Sequence, residues 1–204
     1  MIYVLATGNP GKVREYGRLL GGLRAGVVGV TSVVPDYVGP EEDGQTFEDN
    51  ALIKARAAAV ATATPALADD SGLCVTALDG APGVRSARFG GEGLDDPGRC
   101  VALLTALEAA GATDPADRRA WFHCAIAVAL PDGAAQTVSG RCDGRILDAP
   151  RGEGGFGYDP LFLPDGDVFT FAEMKPAEKD LISHRARAAQ ELPAMLMRVI
   201  AGSS

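Results

Sequence analysis

Apolar residues fill Ile2 to Ala6 without a break, and the period then changes, with Val13, Tyr16, Leu19 and Leu20 recurring at three- and four-residue intervals. The first pattern predicts a buried strand and the second an amphipathic helix. Between them lies Thr7-Gly8-Asn9-Pro10-Gly11-Lys12, so the chain opens as strand, glycine-rich turn, helix. Val27 to Val34 predicts a second strand, and Pro35 to Gly44 a polar loop carrying Glu41-Glu42-Asp43. Thr46-Phe47-Glu48-Asp49 has the form that starts a helix. That helix runs from Phe47 to Ala63, with Ala51, Ala55, Ala58 and Ala59 on a narrow packing face, and Pro65 ends it.

The apolar run Ala66 to Ala68 drives Asp69 and Asp70 to the end of a buried strand, after which Gly72 turns the chain and Cys74 to Leu78 forms another strand. Ala81 to Gly91 holds too many breakers for regular structure, and Val101, Leu103, Leu104 and Leu107 mark a helix over Pro97 to Ala110. Trp121 to Leu130 and Gln136 to Leu147 flank Pro131-Asp132-Gly133, a hairpin signal. Arg151 to Pro160 is a glycine-rich loop with Phe156, Tyr158 and Asp159, followed by short strands at Leu161 to Leu163 and Val168 to Phe171. A last helix starts near Ser183, with Lys179 in the loop ahead of it and a kink at Pro193.

With 204 residues and 47% apolar content, the chain supports one large domain or two small lobes. No apolar stretch is long enough to span a bilayer and no signal peptide is readable, so the expected location is cytoplasmic. Cys74, Cys100, Cys124 and Cys142 lie far apart, without metal-ligand spacing, and read as reduced, mostly buried thiols. A net charge of -8 argues against a nucleic-acid partner. It leaves nucleotides open, since a divalent cation and a few lysines can carry phosphates. Only four of the 19 basic residues are lysines: Lys12, Lys54, Lys175 and Lys179.

Two adjacent carboxylates at the rim of a core repel each other and lose hydration, so Asp69 and Asp70 point to a cation or proton donor beside them, unless both simply face water from a turn. The Thr7 to Lys12 turn offers backbone N–H groups, a helix N-terminus and a lysine, which suit a phosphate, although such junctions also occur without a ligand. His184 and Arg185 in the first turn of the last helix suggest a bound anion, because a helix N-terminus disfavours cations. The glycines around Phe156 would let backbone approach a ligand, and the ring offers a stacking face.

T-G-N-x-x-K at Thr7 to Lys12, E-E-x-G-x-T-F at Glu41 to Phe47 and A-D-D-S-G-L at Ala68 to Leu73 are followed by A-P-G with S-A-R-F at Ala81 to Phe89, G-F-G-Y-D-P at Gly155 to Pro160 and S-H-R at Ser183 to Arg185. In that order and spacing the chain resembles, end to end, the inosine triphosphate pyrophosphatases, which act on non-standard purine nucleoside triphosphates such as ITP, dITP and XTP. The resemblance implies an elongated α/β fold over residues 1–204: a long twisted mixed β-sheet flanked by helices, with two lobes and a central cleft. It also implies a homodimer and Mg2+.

Carried over position by position, the resemblance makes Asp70 the general base, with Asp70 and one of Glu41 and Glu42 as metal ligands. It places the substrate against Thr7, Gly8, Asn9, Pro10, Gly11, Lys12, Lys54 and Ser71 at the phosphates, and against Phe156, Gly157, Tyr158, Asp159, Lys179, His184 and Arg185 at the base. Two other readings stay open: a related pyrophosphatase that clears other modified nucleotides, and a nucleotide sensor without turnover.

Overall fold

A computed structural model describes residues 2–21 and 26–201. The strands are β1 (Ile2–Leu5), β2 (Gly26–Gly29), β3 (Ala66–Val75), β4 (Arg119–Ala129), β5 (Ala135–Ile146) and β6 (Phe162–Pro164). The helices are α1 (Pro10–Leu19), α2 (Phe47–Thr62), α3 (Asp96–Ala109), α4 (Pro176–Ile182), α5 (His184–Gln190) and α6 (Leu192–Ala201). One mixed six-stranded sheet has the order β2-β1-β3-β4-β5-β6, with β1 parallel to β2 and β3, and β5 antiparallel to β6. The chain is thus α/β, as expected.

Two compact units share these elements: residues 1–70, 124–140 and 185–204 form the first, and residues 71–123 and 141–184 the second. Strands β3, β4 and β5 each run from one unit into the other. Each unit has its own core. The first buries Tyr3, Leu5, Tyr16, Leu67, Ile126, Val128 and Leu192, and the second buries Leu73, Val75, Leu103, Leu107, Phe122, Phe162 and Phe171. All four cysteines are free and buried, and burial pushes the Cys74 and Cys100 thiols up to about 11 and that of Cys124 to about 12.

Local chemistry sets the helix starts. The Asn9 side chain caps α1 by accepting the Gly11 and Lys12 N–H groups, at 2.7 and 3.4 Å. Thr46 caps α2, its hydroxyl accepting the Asp49 N–H and donating to the Asp49 carboxylate. Ala51, Ala55, Ala58 and Ala59 of α2 are fully buried, the small-residue face read from the spacing.

Several expectations are corrected. Asp69 and Asp70 lie in the middle of β3, not at its end, and Gly72 does not turn the chain. β1 pairs with its start, at Ala66 and Leu67, and β4 lies beside it in the sheet, so it stays a continuous strand in spite of its Asp-Asp-Ser-Gly composition. β2 stops at Gly29, and a 3-10 turn takes Val30 to Ser32. Val168 to Phe171 is not a strand, because the Val168 and Phe169 N–H groups donate to the Asp167 carboxylate and that of Thr170 to Glu173.

Lys179 lies in α4 rather than in a loop. That helix starts with Pro176 at its first position and the Glu178 carboxylate accepting the Lys175 N–H. Ser183 ends α4 in an extended conformation, and α5 follows at once. The break attributed to Pro193 falls at Glu191, between α5 and α6.

Candidate active site

Successive side chains of a strand point to opposite faces, and β3 uses this to separate its two carboxylates. Asp69 receives Lys12 of α1, whose Nζ lies 3.0 Å from Oδ1 and 2.9 Å from Oδ2, and Arg185 of α5, whose Nε lies 3.4 Å from Oδ2. Arg185 also meets Glu15 of α1 at 3.5 Å, so a chain of alternating charge runs from the half-buried Lys12 to the buried Asp69, Arg185 and Glu15. Burial pushes the Asp69 carboxyl up, but Lys12, Arg185 and Lys54 outweigh it and hold the group well below the usual carboxylate range. The anions called for at the head of α5 are thus two carboxylates of the chain itself.

Asp70 receives a different set. Lys54 Nζ lies 2.8 Å from its Oδ1, and Asn50 Nδ2 lies 3.3 Å from its Oδ2. Asn50 and Lys54 are four residues apart and so share one face of α2. Lys54 Nζ also lies 2.8 Å from Glu42 Oε2, which places one ammonium against two carboxylates. Burial raises the Asp70 carboxyl above its ordinary value; Lys54 opposes this and Glu42 adds to it. Burial works against the Lys54 charge, yet Asp70 and Asp69 hold its ammonium above the ordinary value, so it stays protonated.

Asp70 and Glu42 offer hard oxygen donors and no histidine or cysteine, and no group of three acidic, histidine or cysteine ligands occurs among the described residues. Such a sparse oxygen set fits Mg2+, which keeps several waters and takes further ligands from phosphates. Both glutamates are exposed, and Glu42 is the one that reaches Lys54. In the opening turn, Gly8 and Asn9 are exposed and Thr7 is half-buried, its Oγ1 accepting the Asn9 N–H at 3.1 Å.

In the second unit, the glycine-rich loop is braced at each residue from Phe156 to Asp159. The Asp159 carboxylate accepts the Phe156 N–H at 2.9 Å and pairs with the buried Lys179 ammonium. Lys179 Nζ lies 5.1 Å from the centroid of the Phe156 ring and 5.0 Å from that of Phe171. Asp96, at the head of α3, accepts the Gly157 N–H at 2.7 Å, and the Tyr158 hydroxyl donates to Ser86 O at 2.9 Å. His184 is buried with its ring 4.7 Å from that of Phe122, nearly parallel.

The residues expected to act therefore divide between the units. Thr7 to Lys12, Glu41, Glu42, Lys54, Asp70 and Arg185 belong to the first, and Ser71, Phe156 to Asp159, Lys179 and His184 to the second. The structure brings Lys54, Asp70 and Glu42 together, and separately Phe156, Asp159 and Lys179. Sequence reasoning missed Asn50, Glu15 and Asp96. Asn50 could have been found from its four-residue spacing to Lys54 on the expected helix, and Glu15 from its three-residue spacing to Lys12.

The model of the Ham1 family matches residues 3–195. A dITP/XTP pyrophosphatase of Caulobacter vibrioides is 50% identical over 197 residues, covering 95% of this chain and 96% of that protein. One of Deinococcus deserti is 52% identical over 191 residues, covering 94% of this chain and 87% of the relative. Among solved structures, a HAM1 protein from Coxiella burnetii superposes with a TM-score of 0.87 at 42% identity, covering 97% of this chain and 99% of that one. Motifs, fold and relatives agree: the chain belongs to the Ham1 family.

Proposed function

We propose that the chain hydrolyses non-standard purine nucleoside triphosphates, ITP, dITP and XTP, to the monophosphate and pyrophosphate, keeping these bases out of DNA and RNA. The observation that carries this reading is the Asp70 carboxylate held by Lys54 and Asn50, with Glu42 on the same ammonium. Asp70 takes the proton of the attacking water. The water oxygen bonds to the α-phosphorus, the bond from that phosphorus to the bridging oxygen breaks, and pyrophosphate leaves with the electron pair. A carboxyl raised by burial is the stronger base for this step.

Asp70 and Glu42 would hold Mg2+, which supplies neutralisation of phosphate charge when bound. The contact of Glu42 with Lys54 supports it over Glu41 as the second ligand. Lys12, Lys54, Ser71 and the Thr7 to Gly11 backbone bind the triphosphate and stabilise charge as it develops.

In the second unit, Phe156 stacks on the purine while Gly157, Tyr158, Asp159 and Lys179 fix the pocket around it. A donor from His184, Arg185 or the loop backbone meets the 6-carbonyl, which hypoxanthine and xanthine carry and adenine lacks. Guanine shares that carbonyl, so its 2-amino group must be refused separately, by a wall or by an unpaired donor. The same reading carries a cytoplasmic homodimer, which sedimentation of the purified protein tests.

The deciding assay gives purified protein ITP, ATP and GTP, with Mg2+ and with EDTA, and identifies the products. Monophosphate plus pyrophosphate from ITP, dependent on the metal and slow with ATP and GTP, is expected. Equal kcat/KM for ITP and GTP, or release of orthophosphate, overturns the reading.

A further inference from the structure

We infer that Asn50 is a positioning residue that fixes the distance between the acidic loop and Asp70, and so sets the affinity of the carboxylate pair for its cation. This rests on the assignment of Glu42 and Asp70 to one Mg2+. Asn50 is 1% exposed and uses both ends of its amide: Oδ1 accepts the Gly44 N–H at 2.9 Å, and Nδ2 donates to Asp70 Oδ2 at 3.3 Å. One side chain therefore ties the backbone two residues past Glu42 to the carboxylate on β3.

Three features make that tie rigid. Asn50 sits in the first turn of a sixteen-residue helix whose N-cap is Thr46, so its backbone cannot drift. Gly44 approaches closely: a Cβ there would lie 2.6 Å from Asn50 Oδ1 and 2.7 Å from the Asp49 Cβ. Lys54, one turn further along α2, takes the other oxygen of Asp70 and also reaches Glu42. The lysine holds the two carboxylates by charge, which a divalent cation can compete for. The amide is itself uncharged and holds the loop through the Gly44 N–H and the strand through Asp70 Oδ2, so a cation does not compete with it as it does with the lysine. Groups that orient metal ligands in this way typically change metal affinity or activity ten- to a hundredfold when removed.

The inference is tested from both ends of the amide. Asn50→Ala removes both bonds, and Gly44→Ala drives a Cβ against Asn50 Oδ1 and so breaks the loop end of the tie while both Asn50 and Asp70 stay in the sequence. Direct Mn2+ titration by calorimetry, without nucleotide, gives the readout, with Asp70→Asn and Glu42→Gln alongside and melting curves for every variant. Expected is Mn2+ binding weakened about tenfold or more in both variants, with melting near wild type. Asn50→Ala or, should it not fold, Gly44→Ala with native melting and wild-type Mn2+ affinity overturns the inference. Wild-type Mn2+ affinity in both Asp70→Asn and Glu42→Gln instead overturns the metal assignment beneath it.

Discussion

Asn50 and Lys54, one helical turn apart on α2, each donate to a different oxygen of the Asp70 carboxylate, at 3.3 and 2.8 Å. The carboxylate is thereby oriented on both sides while its charge is only partly offset. Asp70→Asn preserves the shape but removes the base and sets one amide NH2 against another or against the lysine. Its kcat for ITP is expected to fall about a hundredfold or more, with a melting temperature near wild type. Steady-state kinetics and calorimetry on the same preparation check this, and near-normal turnover removes Asp70 from the proton transfer.

Asp69 answers to pH in another way. Its folded carboxyl lies below the unfolded value of about 3.9, because Lys12, Arg185 and Lys54 outweigh burial. Unfolding therefore takes up a proton in mild acid, so the ion pairs stabilise the fold above that unfolded value and the contribution drains away as pH falls toward the folded one. Asp69→Asn leaves Arg185 and Lys12 short of a buried partner and is expected to cost about 3 kcal/mol or more at pH 7. Urea titrations at a series of pH values should show the deficit constant above about pH 5 and shrinking below pH 4. A deficit independent of pH down to strong acid contradicts this assignment.

Most elements were legible because the signals were local, while the acting residues of the two clusters were named through the family resemblance. The cap at Thr46, the alanine face of α2 and the turn around Pro131-Asp132-Gly133 each depend on residues within a few positions of one another. The continuity of β3 through Asp69-Asp70-Ser71-Gly72 was not legible, because neighbouring strands impose it against local preference. The loss of a strand at Val168 to Phe171 has a local cause after all, since Asp167 and Glu173 capture the backbone donors. Asp96 could not be read as a partner of Gly157, because sixty-one positions separate them. Arg185 was legible as a cation needing anions, but not that Asp69 and Glu15 supply them.

Stacking of the purine on Phe156 makes a prediction that leaves the metal chemistry untouched. Aromatic stacking of a base is worth about 1–3 kcal/mol. Phe156→Ala should therefore raise the KM for ITP about tenfold, with kcat and the Mg2+ requirement little changed. The fold should persist, since the ring is only half-buried and Lys179 keeps Asp159 and Phe171. An unchanged KM for ITP in the folded variant would exclude the stack.

Two glycines in the same loop separate backbone strain from collision. Gly155 and Gly157 both have positive φ, at 72° and 63°, where a side chain costs about 1–2 kcal/mol. At Gly157 a Cβ meets nothing within 4 Å, so Gly157→Ala should lose only that strain. At Gly155 a Cβ would collide with Asp159 Oδ2 and lie 2.9 Å from the Asp159 Cβ, and Asp159 is buried and holds Lys179. Moving it leaves an ammonium buried against two aromatic rings without its counter-charge, a loss of about 3–5 kcal/mol. Gly155→Ala should therefore melt well below Gly157→Ala, and adding Lys179→Met should recover part of the gap by removing the stranded charge. Calorimetry of the three variants reads this directly. Equal melting temperatures for the two alanine variants would mean that the Asp159–Lys179 pair moves freely with the loop and does not brace it.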